Sequence, residues 1–259
     1  MKVPTMAEYM AEGKQPEILF WVGSAGSYDD RAKKITKAFV KILNKANVDF
    51  AVLGPEESST GDVAKRAGNE FLFQMQAMMN IEVLNGYEIK RIVTCDPHSF
   101  NCIKNEYPSL GGKYEVVHHT QFIKELIDSG RLQNVGDTYK GKRITFHDPC
   151  YLGRANEVYD APRDVLSVLN ANLTEMKRHK ATALCCGAGG AQMFKEPEKG
   201  DKDINVLRTE DALETNPEII ATGCPYCNTM MTDGVKYKEK EDSIIVQDIA
   251  ELIANAQNL

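Results

Sequence analysis

Five of the seven cysteines in this 259-residue chain fall into three short runs: Cys150 in "HDPCYLGR", Cys185 and Cys186 in "LCCGAGG", and Cys224 and Cys227 in "GCPYC". Adjacent cysteines rarely bond to each other because the geometry is strained, so Cys185 and Cys186 each need a different partner. The two-residue spacer between Cys224 and Cys227 lets both thiolates face one metal. Pro225 and the helical run "YCNTMMTDG" put that pair at a helix N-terminus, where the positive end of the dipole favours thiolate. Gly187, Gly189 and Gly190 let backbone amides approach sulfur or a bulky cofactor. Such thiolates suit an iron–sulfur cluster or zinc. Five exceed the four of a tetrahedral zinc or a simple cubane, so either one is a redox thiol outside the site or the cluster is unusual. His147, three residues before Cys150 and beside Asp148, is the candidate proton donor.

Each cysteine run follows an apolar stretch: "ITFHDPC", "TALCC" and "IIATGCPYC". In open α/β sheets, sites form beyond the carboxyl ends of the strands, so the three loops are expected to converge. Apolar runs at 18–24, 50–54, 91–95, 114–119, 143–148, 173–177, 218–223 and 243–248 read as strands, with amphipathic helices between them. "DDRAKKITKAFVKILNKA" repeats Ile35, Phe39 and Ile42 at helical spacing, and "TQFIKELIDSG" reads as a helix capped by Thr120 and ended by Gly130. This alternation predicts mostly parallel sheets flanked by helices.

The chain also matches itself. Ser24 precedes Cys150 by 126 residues, Ser59 precedes Cys186 by 127, and Asp96 and Ser99 precede Cys224 and Cys227 by 128. Near-constant offsets imply two pseudo-symmetric α/β units, 1–133 and 140–259, on either side of the polar, glycine-punctuated stretch 130–143. Only the second unit keeps its cysteines. The first has Ser24, Ser58, Ser59, Asp96 and Ser99 at the matched places, and serine hydroxyls are poor substitutes for soft thiolates. It is left as a packing partner and a wall of the cleft.

The three runs resemble the cysteine-rich, or CCG, domain of heterodisulfide reductase catalytic subunits and of iron–sulfur subunits of glycolate oxidase and lactate-utilisation proteins. The resemblance covers nearly the whole chain in its duplicated form. It implies one four-iron–four-sulfur cluster, cubane or non-cubane, held by Cys150, Cys185, Cys186, Cys224 and Cys227, with Gly187 and Gly189 beside it. It further implies a redox subunit working in a thiol/disulfide, hydroxy-acid or quinone-linked reaction. No early G-x-G-x-x-G fingerprint and no ferredoxin-type cysteine run is present, so electrons are expected from a partner carrying ferredoxin-type clusters or flavin. The rival class is a scaffold stabilised by zinc or a cluster.

The composition, 42% hydrophobic and 26% charged, is that of a soluble globular protein. A net charge of -6 without a basic stripe argues against nucleic acid. No signal-type leader and no membrane-length apolar run occurs, which predicts a cytoplasmic protein that meets the inner membrane only through a partner. Cys95 and Cys102 read as buried structural thiols, and His98, His118 and His119 as histidines satisfied by backbone. Arg154 reads as a ligand for an anionic substrate or as a surface residue. The methionine-rich run 69–84 reads as a core helix, with a partner-facing surface around Met75, Met78 and Met79 as the second reading. Residues 198–203 read as a charged loop, and "GAGG" lacks the ending of a P-loop.

Overall fold

The computed structural model describes residues 3–133, 136–196 and 199–259. Residues 134 and 135 of the inter-unit stretch and Glu198 of the charged loop lie outside them. The apolar runs form eight short strands: β1 Ile18–Trp21, β2 Phe50–Ala51, β3 Arg91–Thr94, β4 Glu115–His118, β5 Arg143–Phe146, β6 Asn172–Leu173, β7 Ile219–Thr222 and β8 Ile245–Asp248. They make two four-stranded sheets, ordered β2-β1-β3-β4 and β6-β5-β7-β8, and every strand pair is parallel. The second order is the first advanced by four strands, as duplication requires. Central strands such as β1 (ILFW) and β7 (IIAT) are buried at every residue, because helices cover both faces. In each sheet the winding direction reverses between the two central strands, β1/β3 and β5/β7, which opens a crevice at their carboxyl ends.

Helices follow the apolar period. Ala32–Lys45 buries Ile35, Phe39 and Ile42. Two local expectations change. The strand expected through 173–177 is only Asn172–Leu173; Thr174 N–H still donates to the Ile144 carbonyl at 2.9 Å, and beyond it Glu175 pairs with Arg163 at 2.6 and 2.9 Å. The helix His119–Asp128 is capped by His118 instead of Thr120, and buried Thr120 turns its hydroxyl to His118 Nδ1 at 2.8 Å.

The units share one apolar core, in which Phe20, Phe39 and Phe122 meet Phe146, Leu166 and Ile253. Polar links also join the units. Arg31 grips Glu251 at 2.7 and 2.9 Å, and His119 Nε2 lies 2.9 Å from Asp248 Oδ1 with both side chains fully buried. The two crevices are thereby held in a fixed relation. No helix among the described residues is long and apolar enough to cross a membrane.

Candidate metal centre

Cys150 lies in the turn after β5, Cys185 and Cys186 in the loop that follows β6, and Cys224 directly after β7 as the cap of the helix Pro225–Tyr237. Cys227 sits in the first turn of that helix. All five are free thiols; Cys186, Cys224 and Cys227 are buried, and Cys150 and Cys185 are partly open. Side-chain contacts run from Cys150 to Cys185, to Cys186, to Cys227 and to Cys224. The convergence expected beyond the β5/β7 crevice is therefore present.

Backbone donors aim at these sulfurs. Cys227 N–H donates to Cys224 Sγ at 3.5 Å, and Gly187 N–H donates to Cys185 Sγ at 3.3 Å. Gly187 reaches that position with φ +91°, in the left-handed region where a side chain is strained. Gly189 has no such need, and a Cβ there would stand 3.7 Å from His98 Cε1.

Five thiols this close cannot all ionise, because each thiolate opposes the next. Hydrogen bonds from the Cys150 and Cys186 thiols, with the Gly187 amide, hold Cys185 far below the usual thiol range. The others move up. Cys150 rises first through its bond to Cys185 and then through burial, Cys186 through Cys185, and Cys227 through Cys186, Cys224 and burial. Ionisation at Cys185 thus opposes ionisation at these three neighbours. A soft cation or cluster supplies the positive charge that lets the rest deprotonate, so the donor set fits such a group.

A ring nitrogen of His147 and the Sγ atoms of Cys186 and Cys227 all lie within 4.8 Å of one another. Arg208 Nε donates to His147 Nδ1 at 2.9 Å, while buried Nε2 has no hydrogen-bond partner among the described residues. Burial, and then the Arg208 charge, pull the His147 pKa down to about 3, so the ring is neutral.

The first unit supplies the opposite wall. His98, expected to be satisfied by backbone, instead sets Nδ1 2.9 Å from buried Asp62. Its ring centre is 4.4 Å from that of Tyr151, next to Cys150, and 5.4 Å from that of Tyr226, between Cys224 and Cys227. Burial opposes its charge, but the hydrogen bond to Asp62 and the charge of Asp96 outweigh that and raise His98 to about 9. His119 likewise uses a side-chain partner, Asp248, whereas His118 meets the Thr120 hydroxyl and also the Cys95 and Gly223 backbone, as expected. Arg154 is exposed, as its surface reading expects, and also donates to the Ala183 carbonyl, which ties the Cys150 turn to the run before Cys185. On the open side, a cavity of about 770 Å³ is lined by Cys150, Cys185 and Gly187 together with Lys195, Lys199 and Lys202.

In the first unit the matched residues close on themselves. Asp96 caps the helix Pro97–Asn101, accepting from His98 N–H, Ser99 N–H and the Ser99 hydroxyl. Ser58 donates to Asn80, and the Glu57 carboxylate accepts from the Val22 and Gly23 amides at 2.9 and 2.6 Å. Cys95 and Cys102 are buried, with the Cys102 thiol on the Thr60 carbonyl. Among the described residues, no comparable group of metal-capable atoms forms in this unit.

Sequence reasoning missed Asp62 and Arg208. Neither carries a local mark, since their partners lie 36 and 61 residues away.

Fold and site together define a duplicated parallel α/β protein with a thiol-lined centre beyond one of its two crevices. The chain belongs to the CCG cysteine-rich domain family, which matches it twice, over residues 18–104 and 144–232. It is 50% identical over 256 residues to the "Probable iron-sulfur-binding oxidoreductase FadF" of Bacillus subtilis, covering 98% of this chain and 36% of that protein. It is 44% identical over 251 residues to the EtfAB:quinone oxidoreductase of Syntrophomonas wolfei, covering 95% and 35%. A subunit of the dihydromethanophenazine:CoB–CoM heterodisulfide reductase of Methanosarcina barkeri is 35% identical over 250 residues, covering 94% and 59%. The chain thus spans about a third of the length of the first two relatives and 59% of the third.

Proposed function

We propose that this chain is the iron–sulfur redox module of a larger oxidoreductase, holding one [4Fe–4S] cluster on Cys150, Cys185, Cys186, Cys224 and Cys227. The observation that carries the reading is the continuous run of sulfur contacts among five free thiols drawn from three loops at one crevice. Such a cluster supplies one-electron transfer when bound. The chain's own residues prepare its place. The Gly187 amide favours thiolate at Cys185, the Cys227 amide donates to Cys224 Sγ, and Tyr151, Tyr226 and the His98–Asp62 pair screen one side from water. The lysine-bearing cavity at Cys150 and Cys185 leaves the other side open to a reactant. The reaction is thiol/disulfide, hydroxy-acid or quinone-linked, and electrons come from a chain or domain carrying ferredoxin-type clusters or flavin. Exposed Phe71, Met75, Met78 and Met79 on the helix Glu70–Gly86 offer an apolar docking face for it. We place the module in the cytoplasm, at a membrane face only through that partner.

Protein purified without oxygen tests this. Iron and sulfide near four each per chain, with a signal in electron paramagnetic resonance on reduction or oxidation, are the expected result. Zinc alone overturns it and makes the chain a metal-stabilised scaffold.

A further inference from the structure

Arg208, in the helix Ile204–Leu213, is a fully buried arginine behind the cysteine nest. Its Nη1 donates to the Arg178 carbonyl at 2.6 Å and faces Asp211 at 3.4 Å, and its Nε donates to His147 Nδ1 at 2.9 Å. A guanidinium has donors only and keeps its protons in proteins. His147 Nδ1 must therefore hold a lone pair, and a ring with its lone pair there carries its one proton on Nε2. That Nε2 is buried and otherwise unpartnered among the described residues. A buried N–H left unpaired is costly, and the Sγ atoms of Cys186 and Cys227, which lie within 4.8 Å of a ring nitrogen of His147, offer it acceptors.

We infer that Arg208 is a positioning residue that fixes His147 as a hydrogen-bond donor to the sulfur centre, in place of a metal ligand or the proton donor expected from the sequence. The ring cannot ligate through Nδ1, which Arg208 occupies, nor through Nε2, which holds the proton. Hydrogen bonds to cluster sulfurs favour the reduced, more negative state and so raise the reduction potential. The Asp211 carboxylate beside Arg208 offsets its charge, which leaves the directional bond to His147 as its main contribution. This inference rests on the proposed iron–sulfur reading.

The test is a redox titration of the anaerobic holoprotein, wild type against His147→Phe, His147→Gln, Arg208→Met and the double variant His147→Phe/Arg208→Met. His147→Phe should keep its iron and shift the reduced-to-oxidised ratio at fixed potential about tenfold toward oxidised, which is about 59 mV for one electron. Gln can place an N–H near the Nε2 position, so His147→Gln should recover most of the shift. Arg208→Met should move the ratio the same way, and should add nothing in the His147→Phe background. Loss of iron from folded His147→Phe makes His147 a ligand and overturns the inference. So does an Arg208→Met shift that persists in the double variant, which would mark a through-space charge effect. The tautomer is read independently of the metal, by two-bond proton–nitrogen spectra of ¹⁵N-histidine-labelled wild type. The expected proton is on Nε2; one on Nδ1 overturns the inference even if every variant fails to fold. Wild type lacking iron removes the iron–sulfur reading, while those spectra still decide the tautomer.

Discussion

Asp96 and Cys224 stand at matched places in the two units, and each caps a helix that begins with proline. Asp96 gathers the His98 and Ser99 amides at 2.9 and 3.1 Å, while Cys224 takes the Cys227 amide at 3.5 Å. Around Asp96, oxygen donors and acceptors close every loop by directional hydrogen bonds, with Ser99 on Asp96, Ser58 on Asn80 and Glu57 on the Val22 and Gly23 amides. Around Cys224, the thiols meet mainly each other. Sulfur is a weak hydrogen-bond partner and a strong soft-metal ligand, so one unit is complete as folded and the other calls for a cation. The comparison separates two tasks that the unit can carry: the sheets hold the loops in place, and the loop side chains decide whether metal is needed.

The largest expected effect tests that division. Cys186→Ser or Cys227→Ser, each a change at a buried sulfur, should remove most of the iron from the anaerobic protein. Ser24→Ala, Ser59→Ala and Ser99→Ala should leave the iron count as it is. Iron analysis with far-ultraviolet circular dichroism on the same samples checks both arms. Unchanged iron in both cysteine variants, or iron halved in a folded serine variant, would break the contrast.

Much of this contrast was legible in the sequence, because it depends on residue type and on spacing. Strands buried on both faces leave short apolar runs, and the Cys150 and Cys224 groups behind such runs sit at the carboxyl ends of β5 and β7, whereas "TALCC" is no strand and its cysteines reach the site from the loop after β6. The near-constant offset of about 127 residues exposed the duplication. What could not be read depends on distant pairing. Arg208 lies beside Glu210 and Asp211 and has the neighbours of a surface arginine, yet it is wholly buried. Asp62 is an ordinary helix-start residue until His98 arrives from 36 positions further on. Nor could the sequence show that the strand expected through 173–177 is only Asn172–Leu173, with Glu175 paired to Arg163 twelve residues before it.

A smaller effect should appear in the first unit's own pH response. Burial raises the Glu57 carboxyl from 4.5 to about 7, against the lowering pull of the Val22 and Gly23 amides. At the matched place in the second unit stands Leu184, with no charge to hide. The folded state keeps the Glu57 proton up to about pH 7, whereas the unfolded chain releases it near 4.5. This group's stabilising contribution is therefore full below 4.5, falls as pH rises from 4.5 to about 7, and is gone above that. Its size is at most about 3 kcal/mol. Denaturant unfolding at pH 5 and pH 8 should show wild type losing that much relative to Glu57→Gln on going up in pH. Parallel behaviour of the two proteins would mean that the carboxyl is ionised throughout, held by its two amides.

The smallest effect concerns two glycines of one loop. Gly189 occupies the place that Asp62 holds in the first unit, so the second unit has no side chain where the first has a carboxylate. That gap is what His98 leans into, with room to spare. An added Cβ would meet His98 Cε1 at 3.7 Å, an ordinary contact. Gly189→Ala should thus change stability by no more than about 0.5 kcal/mol and leave the iron count unchanged. Gly187→Ala, two residues earlier, forces a side chain into φ +91° and should cost about 1–3 kcal/mol. It should also turn the amide away from Cys185 and alter the visible spectrum, because that amide is the one backbone donor seen on this sulfur among the described residues. Thermal unfolding and absorption spectra of the two variants, side by side, decide the point. A Gly189→Ala variant as damaged as Gly187→Ala would show that the wall contributed by the first unit fits the cysteine loop far more tightly than a 3.7 Å contact allows.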